Sequence, residues 1–383
     1  VSEGARGLSR GAGRGGRLAE LDLLRFLAAL AVVAFHYLVA FASVWGQRPS
    51  SLFPAVAAPA GLGILGVELF FVISGFVILM TVWGRGIGGF VRSRVVRLFP
   101  AYWLSVLAVM GVYGLTGATA LDPKLSPGEY ALNFTMIQRA FGVQDANGVY
   151  WSLWAELRFY VLIAVLVLIG VTVRRCLVFM GIWLAGVLVA VFAFPGDPVL
   201  DLLLMPKYAP YFIAGMALYL MHRLGPSLVL AGFVIAGYAL ALRSALDRVH
   251  GRIELAGKAA MPVEDWMVVA VITVMFAVMV LVALGGLSWL SWRGLTTLGG
   301  VTYPLYLFHT PVAVLLVPAL GGLMPPWAVA TVTTLAAIAI SYAVYRLAER
   351  PVQRLFRPRP RRAAARHAAP RSPLPAGEKA SVP

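Results

Sequence analysis

Cysteine is almost absent: Cys176 stands alone among 383 residues. One thiol excludes an intrachain disulfide and a cysteine cluster for a metal, so no metal is expected. Charge is scarce too, at 13% of residues. An ordinary soluble domain carries about a quarter, so a large globular protein is excluded. Acidic residues number 16 and basic residues 32, a formal net charge of +16. Such an excess can signal nucleic acid. Here the cations sit in short segments between apolar runs, the pattern that orients membrane helices, and no nucleic-acid partner is expected. The Gly- and Arg-rich first seventeen residues lack the apolar core of a secretory signal. No repeat suggests the inverted halves of many transporters. No polar stretch is long enough for a second catalytic domain.

What is there is hydrophobicity, at 60% of residues. A span of the bilayer needs about 20 mostly apolar residues. Ten candidates meet this, at about 21–42, 62–83, 97–118, 149–173, 176–194, 200–221, 226–242, 265–284, 295–317 and 327–347. The sixth is interrupted by Pro206 and Pro210, and the seventh is short. The expected fold is an all-α polytopic membrane protein with about ten transmembrane helices. A basic segment at 1–18 precedes the membrane domain at 19–350, and a basic, Pro- and Ala-rich tail follows at 351–383. Both flanks are too poor in hydrophobic residues to fold alone. With the N-terminus inside, 22 basic residues fall on the cytoplasmic side and 8 outside, leaving Arg25 and Arg158 within spans. Both termini are therefore expected in the cytoplasm and the chain in the plasma membrane.

The ionisable residues inside the spans carry the chemistry, since such groups are costly in a bilayer and mark sites or pathways. Arg25 and His36 lie eleven residues apart. Eleven helical steps return to within about 20° of the start and climb roughly 16 Å. One helix face would thus bear a guanidinium near its end and an imidazole at mid-membrane. The competing reading is a histidine satisfied by a neighbouring helix. Counting from expected helix ends puts His36, Glu68, Glu156 and His309 at similar depth on four helices. A second layer, at the cytoplasmic face, holds Asp22 and Arg25, which can pair, and Arg94 and Arg97. Guanidinium forks suit phosphate oxygens; the alternative for the last two is topogenic charge. A phosphate-binding layer beneath an acid/base layer fits a long donor such as acyl-coenzyme A, which the residues permit without demanding.

Six motifs occur in order. They are Leu21-Asp22-Leu23-Leu24-Arg25 with His36 after ten intervening residues; Gly66-Val67-Glu68-Leu69-Phe70-Phe71-Val72-Ile73-Ser74-Gly75-Phe76; and Arg94 to Arg97 with Pro100 and Tyr102. Then come Trp151-Ser152-Leu153 with Glu156, Phe159 and Tyr160; Tyr303 to His309; and Glu349-Arg350-Pro351. Together they resemble the acyltransferase-3 family of integral membrane O-acyltransferases across nearly the whole span region. Glu68 stands where the family more often has Asp. Leu157 replaces a second Glu, and Pro304 a common Ser. The C-terminal esterase-like domain of some members is missing.

The resemblance implies transfer of an acetyl or other short acyl group from cytoplasmic acyl-coenzyme A, a co-substrate rather than a bound cofactor. The implied acceptor is a hydroxyl of a cell-surface carbohydrate or of a glycosylated natural product such as a macrolide. It implies His36 as general base, with Glu156 orienting it, or else paired with Arg158. It also implies His309 in acid/base work or packing, Arg25, Arg94 and Arg97 on the donor, and Asp22 and Glu68 in support. Glu349 is expected to partner arginines. Ser74 and Ser152 sit in no G-x-S-x-G elbow, so helix contact suits them better than nucleophilic work. A transporter using the same buried charges as a proton or substrate path is the alternative.

Overall fold

The computed structural model describes residues 18–117, 125–257, 260–290, 292 and 294–356. Every regular element among them is helical. Away from water, such apolar runs satisfy their backbone N–H and C=O groups through the helix's own ladder. The long helices are α1 (Ala19–Phe35), α2 (Gly66–Val82), α3 (Ile87–Thr116), α4 (Trp151–Ile169) and α5 (Val173–Phe192). They continue with α6 (Ala209–Leu224), α7 (Leu228–Ala256), α8 (Asp265–Ala283), α9 (Leu295–Gly321) and α10 (Pro326–Val344). Among the described residues, nine spans are long and apolar enough to cross a membrane. The remaining long helix, α6, has 16 residues.

Three boundaries differ from the sequence reading. The span expected at 200–221 is two helices, Pro198–Leu204 and α6, parted at Met205 with φ 52°. Pro206 causes the break, because a proline disfavours the α conformation in the residue before it. The span expected at 226–242 runs on to Ala256, so Arg243, Arg248 and Arg252 are helical rather than in an outer loop. Its charges dilute the hydropathy, yet Ala241, Ala245 and Val249 keep one face buried at four-residue spacing. At the far end, the chain stays helical past 350 to Leu355, and Arg92 donates to the Phe356 carbonyl at 2.5 Å. Of the basic segments expected at 1–18 and 351–383, residues 1–17 and 357–383 lie outside the described residues.

Small residues set the centre of the bundle. Cβ atoms added at Gly63 and Gly66 would meet the Ala31 and Ala28 carbonyls of α1. One at Gly75 would meet the Phe212 carbonyl of α6, and one at Gly215 the Val72 carbonyl of α2. Without a hydrophobic drive between helices in lipid, such close backbone approach supplies dispersion contact. Helix α6 is buried along Ala209–Met221, so it is enclosed by protein rather than lipid. Helix α9 carries Pro311, which has no N–H for the Leu307 carbonyl four residues back. Asn147 Nδ2 and Ser105 Oγ donate to that carbonyl instead, at 3.2 and 3.3 Å.

That bond ties the α3–α4 connection into the bundle. Its helix Pro127–Asn133 starts with a capping box, in which the Ser126 backbone and hydroxyl hold the Glu129 carboxyl below its usual range. Asn133 Oδ1 then accepts from the Ala146 N–H, and Asp145 accepts from Gln138 and Arg139, each at 2.7 Å. Asn147 and Tyr150 are fully buried, so α4 starts inside the protein.

Candidate active site

Two cavities, of about 500 and 520 Å³, lie along α1. The proximal one is nearer the end of the bundle that holds Leu18 and Arg85. The distal one is lined by the last turns of α7. Asp22 and Arg25 face the first cavity, Val32 and His36 the second, so one stripe of α1 borders both. That is the phase expected from the eleven-residue spacing.

The proximal cavity gathers Arg25, Arg94 and Arg97 from two helices. Asp22 lines it as well and packs against Gly299 of α9, where no side chain intervenes. The Arg94 guanidinium lies 5.7 Å from the Tyr160 ring. Tyr160 donates to Glu156 Oε1 at 2.5 Å, and Ser74 Oγ donates to the same oxygen at 3.0 Å. Glu156 is therefore a proximal residue and makes no hydrogen bond to His36. The expected depth assumed that α4 starts at the membrane surface. Because α4 follows the buried residues 145–147 and 149–150, Trp151 already borders the distal cavity, and Glu156, about a turn further on, lines the proximal one. Nor does Glu156 pair with Arg158, whose Nη1 donates to the carbonyls of Asp201 and Leu202. Glu349 is buried nearby, at the start of the last short helix.

The distal cavity holds the imidazole. His36 opens a π-helical turn, His36–Ala40, in which the Phe41 N–H reaches the His36 carbonyl at 2.9 Å. Such turns often mark functional sites. Tyr37 fastens this turn to α9 by donating to the His309 carbonyl at 2.7 Å. His309, fully buried, sets the tautomers. A carbonyl only accepts, so His309 Nδ1–H donates to Leu305, 3.1 Å away. His309 Nε2 then keeps its lone pair and faces His36 Nδ1 at 3.2 Å. His36 Nδ1 also lies 2.8 Å from the Val32 carbonyl, so it carries the proton. This network assigns neutral His36 a free lone pair on Nε2.

Glu68, 2% exposed, accepts from Arg248 Nη1 at 2.7 Å in the same cavity. The Arg248 guanidinium lies 4.4 Å from the centre of the Trp151 ring, a cation–π contact. Sequence reasoning missed Arg248, Arg252 and Tyr208 on these walls, and gave Trp151, the first residue of its motif, no place in the site. The available signal was the continued helical spacing of α7. Val67 and Tyr306 line both cavities. Ser152 belongs to this partition, since it donates within a bonded cluster with the Tyr306 hydroxyl, 2.6 Å, and the Val149 carbonyl, 3.1 Å.

Compared with known proteins, residues 18–346 match a family model described as an acyltransferase domain. No curated protein and no solved structure matches.

Proposed function

The chain belongs to this family of membrane acyltransferases, and from that premise we propose that it moves a short acyl group from acyl-coenzyme A to an acceptor hydroxyl. The observation that carries the reading is the pair of cavities meeting at Val67 and Tyr306, arginines on one side and His36 on the other. Arg25, Arg94 and Arg97 provide forks for the donor's phosphates. Glu156, held by Ser74 and Tyr160, gives that side a fixed hydrogen-bonding wall. The acceptor occupies the distal cavity, where Trp151, Glu68 and Arg248 suit a hydroxyl-bearing sugar or a glycosylated natural product. The arginine side faces the cytoplasm, as the excess of basic residues on that side supports.

In the transfer, the acceptor oxygen attacks the thioester carbonyl carbon and gives its proton to His36 Nε2. A C–O bond forms and the C–S bond breaks. The imidazolium then returns the proton to the departing thiolate, releasing coenzyme A. During the charged interval, the Nδ1–H is stabilised by the Val32 carbonyl and by His309 Nε2. An imidazole suits this work because one ring nitrogen can accept a proton while the other donates a hydrogen bond.

The test uses purified protein, acetyl-coenzyme A and host membranes as acceptor source. Wild type should release coenzyme A in an acceptor-dependent way; a transporter would release none. His36→Ala should still bind the donor but transfer at least about 100-fold more slowly, the loss typical of a general base. Near-normal turnover in that variant would reject the assignment.

A further inference from the structure

We infer that Val67 and Tyr306 form the acyl-size selector of this enzyme and favour short acyl groups over longer ones. The inference rests on the donor and acceptor reading above. Val67 and Tyr306 are 4% and 6% exposed, and both border both cavities.

Two helix faces converge there. On α2, Ser74, Phe71, Phe70 and Val67 line the proximal cavity, at three- and four-residue steps. Val67 is the last of these, and Glu68 beside it already faces the distal cavity. On α9, Thr302, Tyr303 and Tyr306 follow the same course. One turn beyond Tyr306 lies His309, whose Nε2 contacts His36. An acyl group held by a proximal donor therefore meets a distal hydroxyl across these two side chains.

Both side chains are rigid. Valine is β-branched, with a restricted χ1. The Tyr306 hydroxyl donates to the Val149 carbonyl at 2.9 Å and sits 2.6 Å from Ser152 Oγ. Phe70 packs edge-on against its ring, with centroids 5.9 Å apart. A ring pinned at its hydroxyl and flanked on one side cannot swing aside at low cost. A longer acyl chain would have to displace Val67 or break the Tyr306 bonds before its carbonyl carbon came within reach of the acceptor.

The experiment compares acetyl-, propionyl- and butyryl-coenzyme A with wild type, Val67→Ala and Val67→Ile. Host membranes serve as acceptor source, and products are read by mass spectrometry alongside coenzyme A release. Wild type should favour acetyl and propionyl over butyryl. Val67→Ala should raise the butyryl-to-acetyl ratio of kcat/KM about tenfold, and Val67→Ile should lower the propionyl-to-acetyl ratio by a similar factor, as one methylene in a tight pocket does. Val67→Ile adds a single methylene, so it keeps the question open to test if Val67→Ala fails to fold. A wild-type preference for butyryl would overturn the inference. So would unchanged ratios in whichever variants fold and turn over acetyl donor. In either case the acyltransferase reading would stand. Absence of transfer from any donor by wild type would instead overturn that reading, and the inference with it.

Discussion

His36 and His309 divide one task unequally. His36 lines the distal cavity, while His309 is fully enclosed and reaches only its neighbours. In the proposed transfer His309 is a positioning residue, since its Nδ1–H bond to Leu305 leaves Nε2 to accept from His36. His309→Gln can keep an acceptor near His36 through its carbonyl oxygen, whereas His309→Leu cannot. Transfer should fall by about tenfold or more in His309→Leu and recover in part in His309→Gln, with donor KM unchanged in both. A shifted pH–rate profile for kcat in His309→Leu would separate positioning from a packing defect, since only loss of the bond to His36 alters its titration. A common loss in both variants with an unmoved profile would assign His309 to packing.

The α2–α6 contact depends on two glycines whose missing Cβ atoms let backbones touch. An added Cβ at Gly215 would meet the Val72 carbonyl, and Val72 is itself buried completely. Neither partner is the end of a flexible side chain, so a helix must shift. Overpacking of this kind costs about 1–3 kcal/mol. Gly215→Ala should therefore lower the thermal midpoint in detergent by several degrees, whereas Gly232→Ala, which has open space around it, should not. Helix α2 carries Val67, Glu68 and Ser74, so the same shift should also weaken transfer. Equal midpoints for the two variants would mean that the α2–α6 approach is looser than its geometry indicates.

Across the whole molecule, the arginine layer and the imidazole layer occupy opposite sides of one partition. On the proposed reading donor and acceptor would use separate entrances, and sealed vesicles of uniform orientation can test this. Acetyl-coenzyme A supplied on the side bearing the C-terminal tail should yield product; supplied on the other side it should not. Neutralising Arg94 or Arg97 should raise the donor KM without changing which side is productive. Equal product from both sides would refute separate access while leaving the family assignment intact.

Much of this was legible in the residues alone. Long apolar runs dictated helices, because a helix satisfies its own backbone inside lipid. The Arg25–His36 phase was legible because it depends only on the period of one helix. The arginine layer followed from motif order and charge position. Tertiary structure alone decided what depends on register between helices. His36 and His309 are 273 residues apart, and no local spacing brings them together; the Tyr37 bond to α9 and the glycine contacts around α1 do. Glu156 fell to the arginine side because α4 starts inside the protein, just after the buried Asn147 and Tyr150, which hydropathy cannot register. Arg248 entered the site because α7 keeps its buried face through a charged stretch, and the charges hid that periodicity from any count of apolar residues.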